Sequence, residues 1–343
     1  MIDKLPMLPT TVIGSHAIPS WFWTVTEEIG KGNYGKTDIG EAFDDAVKLA
    51  MLDQQKAGID IITDGEMRRW YFVQSFYGRM TGIVEEPPLR KIGLYAYDSP
   101  PRYRAVEKVT VPEGLGILEE FEYAKIHTDR PLKATCPGPL TLTMHIRPDE
   151  SYRDRHELAW EFADVINAEL KALVQAGADF IQIDEPSFAI IPGEFKSWIE
   201  MYNAAVDGVN AKLALHICFG NLSSRPRGRR TYKWMFPAVL DAKADQLVFE
   251  YSNREMSEID LWPEFGVESE LGAGVIDVKS FHVETPEDVA GRIESILEYV
   301  PAEKLFVNPD CGFFQLPRWI TQLKLNAMVA GTQLVRERLG LTN

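Results

Sequence analysis

A chain of 343 residues, 45% hydrophobic and 25% charged, has the composition of an ordinary folded protein and excludes a disordered or low-complexity one. Its 51 acidic against 36 basic side chains leave a formal charge of −15, which argues against nucleic acid and anionic membrane surfaces as partners. Three cysteines, Cys136, Cys218 and Cys311, are too few and too odd in number for a disulfide framework, and they suit a reducing compartment where thiols act as ligands or nucleophiles.

The first ten residues lack the basic and apolar regions of a secretion signal, and no apolar run approaches the roughly 20 residues needed to cross a bilayer. The expectation is a cytoplasmic protein. In chain order, short apolar runs fall at 10–13, 60–63, 132–135, 180–183, 212–216, 246–249, 271–276 and 305–307, with amphipathic helical segments between most of them. That count and alternation predict a single α/β domain over 1–343, a (β/α)8 TIM barrel. Asp38 and Glu41 read as a capping box for a helix carrying Phe43, Val47, Ala50 and Met51 and ended by Gly58. The segment 153–176 places Leu158, Phe162, Val165, Ile166, Leu170 and Leu173 on one stripe, and Thr285 with Pro286 opens a further helix. These stripes are core faces.

The regularity breaks twice. Residues from about 70 to 130, rich in proline, tyrosine and charge, read as an insertion or lid after the second strand. The basic stretch 223–231, with Arg225, Arg227, Arg229 and Arg230, reads as a solvated loop after the fifth.

The chemistry gathers at strand ends. His216 and Cys218, in LHICFGN, are separated by one residue, so an extended backbone points imidazole and thiol the same way. Glu250 closes an apolar run where a carboxylate has little reason to sit unless paired or bound to metal. Cys311 lies just past the last run. All four sit at carboxyl ends of expected barrel strands, the face on which barrel active sites form, and one imidazole, two thiols and a carboxylate suit Zn2+. A carboxylate exchanges more readily than a thiolate, so Glu250 is the ligand expected to give way to an incoming substrate thiol, which zinc would hold as thiolate.

Seven blocks carry a resemblance: LPTTVIGS, DGE, IQIDEP, HIC, FEYS, GAGVIDVKS and VNPDCG. In this order they resemble the catalytic C-terminal domain of the cobalamin-independent methionine synthases over essentially the whole chain. The HICFGN form is most similar to the short, single-barrel members. The resemblance implies that His216, Cys218, Glu250 and Cys311 bind zinc and that Ile13, Ser15, Glu66 and Asp184 bind homocysteine. The residue types agree: Glu66 and Asp184 can receive the ammonium, and Ser15 the carboxylate, of an enclosed amino acid. For Glu66 the alternative is a salt bridge with Arg68 or Arg69.

The sequence departs from the family at the methyl-donor side. Lys279 stands where folate-using members carry a histidine that assists proton delivery, and His282 is the nearby candidate to replace it. The block CPGPLTLTM lacks the tryptophan that stacks on the pteridine ring. A tertiary amine leaves poorly unless protonated, whereas a corrinoid cobalt needs no proton. A methylated corrinoid (methylcobalamin or a corrinoid protein) is therefore expected over methyltetrahydrofolate. The aromatics Trp21, Trp23, Trp70, Tyr71, Phe72, Tyr95 and Tyr97 are candidates to shape an entrance for it or to close the barrel mouth.

The reading is zinc-dependent methyl transfer to homocysteine. Weighed against it are alkyl transfer to another thiol, such as coenzyme M opening an epoxide, and a zinc-binding protein without catalysis.

Overall fold

The computed structural model describes residues 5–69, 72–87, 101–221 and 226–341. Its strands are β1 (Thr81–Glu86), β2 (Arg102–Thr110), β3 (Ala134–Pro137), β4 (Ile146–Arg147), β5 (Phe180–Asp184), β6 (Lys212–Ile217), β7 (Gln246–Glu250), β8 (Glu270–Ile276) and β9 (Leu305–Pro309). Six of them form a parallel sheet in the order β3-β5-β6-β7-β8-β9. Single parallel bridges extend this order: Thr10 to Val307, Thr11 to Ile61, and Ile62 to Leu132. The eight apolar runs thus follow one another in a TIM-barrel-like α/β fold, two of them as bridges rather than ladders. One cause is local. The Asp60 carboxylate accepts from Thr10 N and Thr10 Oγ1, both at 2.8 Å, where a longer ladder would run.

Period-two alternation decides what the barrel encloses. Phe180, Ala214 and Val248 join Ile13, Ile61 and Phe306 in a small apolar cluster. Two residues onward on the same faces come Gln182, His216 and Glu250, and then Asp184. The alternate positions, Ile181, Ile183, Leu215, Leu247 and Phe249, belong to the larger core under the helices. The interior therefore changes from apolar to polar toward the carboxyl ends, where all of these polar side chains are buried.

The helices Lys36–Ala57, Arg155–Gln175, Pro286–Leu297 and Arg318–Arg338 form much of the outer layer. Thr285 and Asp288 make the capping box of the third, and Gly58 ends the first at φ +89°. The box expected from Asp38 and Glu41 is corrected: Gly35 is the cap residue, and Asp38 Oδ2 accepts its N–H at 3.2 Å.

In the expected 70–130 insertion, β1 and β2 pair antiparallel, and β4 extends them in parallel. The helix Ile117–Lys125 in that stretch instead packs on Arg155–Gln175 and β3, so it belongs to the outer layer and the excursion is shorter than expected. Trp70, Tyr71, Tyr95, Tyr97 and Arg225 lie outside the described residues. Trp23 packs edge-on against Phe314, and Trp21 is 40% exposed. Among the described residues, no helix is long and apolar enough to cross a membrane.

Candidate metal and substrate site

The parallel register pairs Asp184 of β5 directly with His216 of β6. Their side chains share a face, and His216 Nδ1 donates to Asp184 Oδ1 at 2.7 Å. The other ring nitrogen, Nε2, is buried with no hydrogen-bond partner among the described residues. Cys218, just beyond β6, and Cys311, just beyond β9, bring their sulfurs to 3.7 Å. A ring nitrogen of His216 and both sulfurs all lie within 4.8 Å of one another. Two thiolates about 2.3 Å from one tetrahedral ion would sit about 3.8 Å apart. The donor set, its spacing and the unpartnered nitrogen fit a metal of the zinc type.

Glu250, the fourth expected ligand, is fully buried but falls outside that close group. Its Oε2 accepts from Lys279 Nζ at 2.9 Å and from Phe219 N at 3.2 Å, while Oε1 has no partner among the described residues. Burial pulls the Lys279 ammonium toward neutrality, but Glu250, Cys311 and Asp310 outweigh it and hold the side chain charged. The thiols divide one hydrogen bond between them. That bond, helped by His216 and Lys279 against burial, lowers Cys311 to about 7. The same bond, burial and the charge of Glu250 push Cys218 up.

Asp310, beside Cys311, fixes the loop that follows Glu250. Its carboxylate accepts the backbone N–H groups of Tyr251 and Ser252 at 2.9 Å and of Asn253 at 2.6 Å. The loops bearing Glu250 and Cys311 are thereby tied together.

The expected substrate residues lie at the same end. Glu66 sits in a tight turn at φ +55°, and its Oε1 accepts from Thr135 Oγ1 at 2.8 Å and Arg69 at 3.1 Å. Arg69, rather than Arg68, is its partner; Arg68 instead pairs with Asp44. Burial raises Glu66 to about 7 against the pull of Arg69, with Asp184 and Asp64 adding to the rise. Gly14 makes room for it, since a Cβ there would stand 2.4 Å from Glu66 Oε1. Ser15 lies against Gly312, where a Cβ would stand 2.0 Å from the Ser15 hydroxyl. The loop bearing Ser15 thus packs on the residue following Cys311. The side chain of Ile13 belongs to the apolar interior, and its carbonyl accepts from Gln182 at 2.8 Å. His282 is exposed; its N–H donates to Ser280 Oγ at 3.1 Å and its carbonyl accepts from Lys324. Lys279, not His282, is the residue in contact with Glu250. Cys136 is a fully buried thiol directed to the Pro137 carbonyl.

A family model described as the catalytic domain of cobalamin-independent synthases matches residues 8–333. The chain belongs to this family. As a cobalamin-independent synthase catalytic domain it is an enzyme. It is 41% identical over 340 residues to a methionine synthase of Saccharolobus solfataricus, covering 98% of both chains. With a methionine synthase of Sulfurisphaera tokodaii it shares 38% over 339 residues, covering 98% of this chain and 95% of the other. A B12-independent methionine synthase from Shewanella, solved in complex with selenomethionine, superposes with a TM-score of 0.83 at 30% identity, covering 98% and 100% of the two chains.

Three buried polar residues at this site were not singled out from the sequence: Lys133, Gln182 and Asp310. Each had a signal. Lys133 and Gln182 interrupt the apolar runs 132–135 and 180–183, and Asp310 precedes Cys311.

Proposed function

We propose that this synthase transfers a methyl group to the thiol of homocysteine, giving methionine, with zinc held by His216, Cys218 and Cys311 and by Glu250 as the exchangeable fourth ligand. The observation that carries the reading is the buried His216 Nε2, without a hydrogen-bond partner among the described residues, beside two thiols 3.7 Å apart. Zinc, when bound, supplies the Lewis acidity that keeps a substrate thiol ionised at neutral pH.

The protein's own residues account for the rest. Lys279 gives Glu250 a charged partner outside the metal set, so the carboxylate has a place to rest when a substrate sulfur takes its position. Glu66 and Asp184 supply anionic oxygens for the substrate ammonium, and Ser15 a hydroxyl for its carboxylate. Asp184 touches both halves of the site, since it also holds His216. The similar Shewanella protein was solved with selenomethionine, an analogue of the proposed product, which supports an amino-acid pocket here. Two buried carboxylates also favour homocysteine over coenzyme M, which lacks an ammonium.

The corrinoid donor expected from the sequence finds no support in the comparisons, because the matching family is a cobalamin-independent one that uses methyltetrahydrofolate. Methyltetrahydrofolate is accordingly the donor of the proposed reaction. One observation favours the corrinoid as a second reading: Lys279 is locked to Glu250 and His282 is exposed, so neither is set to protonate a leaving amine.

Cobalt(II)-substituted protein tests the acceptor. Homocysteine should shift the visible spectrum as its sulfur enters the coordination sphere, and an analogue lacking the amine should do so only at much higher concentration. Equal potency of the two would remove Glu66 and Asp184 from the account.

A further inference from the structure

Inside the barrel, one layer below Asp184, runs a chain of hydrogen bonds that neither the metal ligands nor the substrate residues explain. Lys133, only 2% exposed, donates from Nζ to Gln182 Oε1 at 2.6 Å. Burial pulls Lys133 down to about 7, with Asp184 and Glu66 holding against it. In its charged form it has donors and no acceptor, so the amide oxygen faces it and the amide nitrogen faces away. Gln182 Nε2 accordingly donates to Asp184 Oδ1 at 2.7 Å and to the Ile13 carbonyl at 2.8 Å. The same Asp184 oxygen accepts the His216 Nδ1–H at 2.7 Å. With the proton on Nδ1, the lone pair sits on Nε2, the atom buried without a partner among the described residues.

We propose that Lys133 and Gln182 are positioning residues of the metal site: they orient the Asp184 carboxylate, which in turn sets the rotamer and tautomer of His216. The inference rests on the metal reading above and deepens it. A lysine in a barrel interior carries a large desolvation penalty, which an apolar side chain of similar volume would avoid. Its placement at the oxygen end of one amide has a directional consequence. Without Lys133 the amide of Gln182 is free to reverse, which would set an oxygen against the Asp184 carboxylate and break the bond to Ile13. Asp184 would then keep His216 as a donor but lose the one that fixes its own orientation. Outer partners of this kind commonly change metal affinity by about 10–100-fold.

Two variants test it, Lys133→Met and Gln182→Glu. The second keeps the side-chain length and an acceptor for Lys133 while removing the donor to Asp184. The measurements are the zinc dissociation constant by competition with a chromophoric chelator, the visible absorption of the cobalt(II) form, near-ultraviolet circular dichroism and the thermal midpoint. Both variants should keep the native circular dichroism, bind zinc at least about tenfold more weakly, and show an altered cobalt spectrum. Wild-type zinc affinity and cobalt spectrum in both, with only a lowered thermal midpoint, would reduce the chain to a structural contact and overturn the proposal. A wild-type protein that binds no zinc would instead remove the metal reading itself and this inference with it.

Discussion

Lys279 Nζ lies 2.9 Å from Glu250 Oε2, and neither side chain is more than 2% exposed. An ion pair so deeply buried is held together by the high desolvation penalty each charge would face alone. Here it brings a cation to a cluster of two thiols and one further carboxylate, Asp310. The position of Lys279 is the one at which the resemblance implies a departure from the folate-using members, and the structure gives Lys279 a carboxylate partner there.

Removing that cation should leave Glu250 buried and unpaired. In metal-free protein, Lys279→Met is expected to destabilise the fold by about 3–5 kcal/mol, the usual consequence of deleting one member of a buried pair. Zinc would give Glu250 a new partner, so the deficit should shrink in the loaded protein. Thermal unfolding of both forms of both proteins checks this. An equal deficit with and without zinc would mean that Glu250 stays away from the metal.

Cys218→Ser and Cys311→Ser each remove a soft ligand from the close group. Either variant should lose zinc to a chelator concentration that leaves the wild type loaded, as read by metal analysis after gel filtration. Cys136→Ser should retain it, because that thiol is fully buried and directed to the Pro137 carbonyl.

Gly14→Ala separates the substrate half of the site from the metal half. The added Cβ would lie 2.4 Å from Glu66 Oε1, so the carboxylate must move. Overpacking of this kind costs about 1–3 kcal/mol of stability. Homocysteine affinity, measured by titration calorimetry, should fall while zinc affinity stays at the wild-type level.

Glu66 also predicts a pH dependence. Burial, against the pull of Arg69, raises its folded-state value from 4.5 to about 7, so the carboxylate that would hold the ammonium becomes neutral as pH falls below about 7. Homocysteine binding should weaken over that range, and Glu66→Gln should flatten the profile. The sign for stability is opposite. A carboxyl group raised on folding contributes stability that is complete below pH 4.5 and lost as pH rises through about 7. The glutamine variant should therefore gain in thermal midpoint relative to wild type between pH 5 and pH 8. A pH-independent difference would contradict the raised value.

Much of this site was legible because alternation along a strand is simple geometry. The sequence placed His216 and Cys218 on one face, and the register to Asp184 follows from β5 and β6 being neighbours. What was not legible depends on pairs distant in the chain. Lys133 and Gln182 are 49 residues apart and meet only because β3, which Lys133 precedes, lies beside β5. The choice between Arg68 and Arg69 as the partner of Glu66 is made by a turn at positive φ that spacing does not encode. The cap of the helix Lys36–Ala57 escaped for a similar reason, since Gly35 has no side chain to announce it. The methyl donor is a property of a second binding partner, and an absent histidine says less about that partner than the family it belongs to.

The most direct test is a methyl-transfer assay with zinc-loaded protein and homocysteine, supplying methyltetrahydrofolate and methylcobalamin in parallel and quantifying methionine. The account predicts zinc-dependent methionine formation from methyltetrahydrofolate that Cys311→Ser abolishes; methionine from methylcobalamin alone would replace that donor with the second reading. No methionine from either donor, with zinc bound, would contradict the assignment of homocysteine methylation to this site.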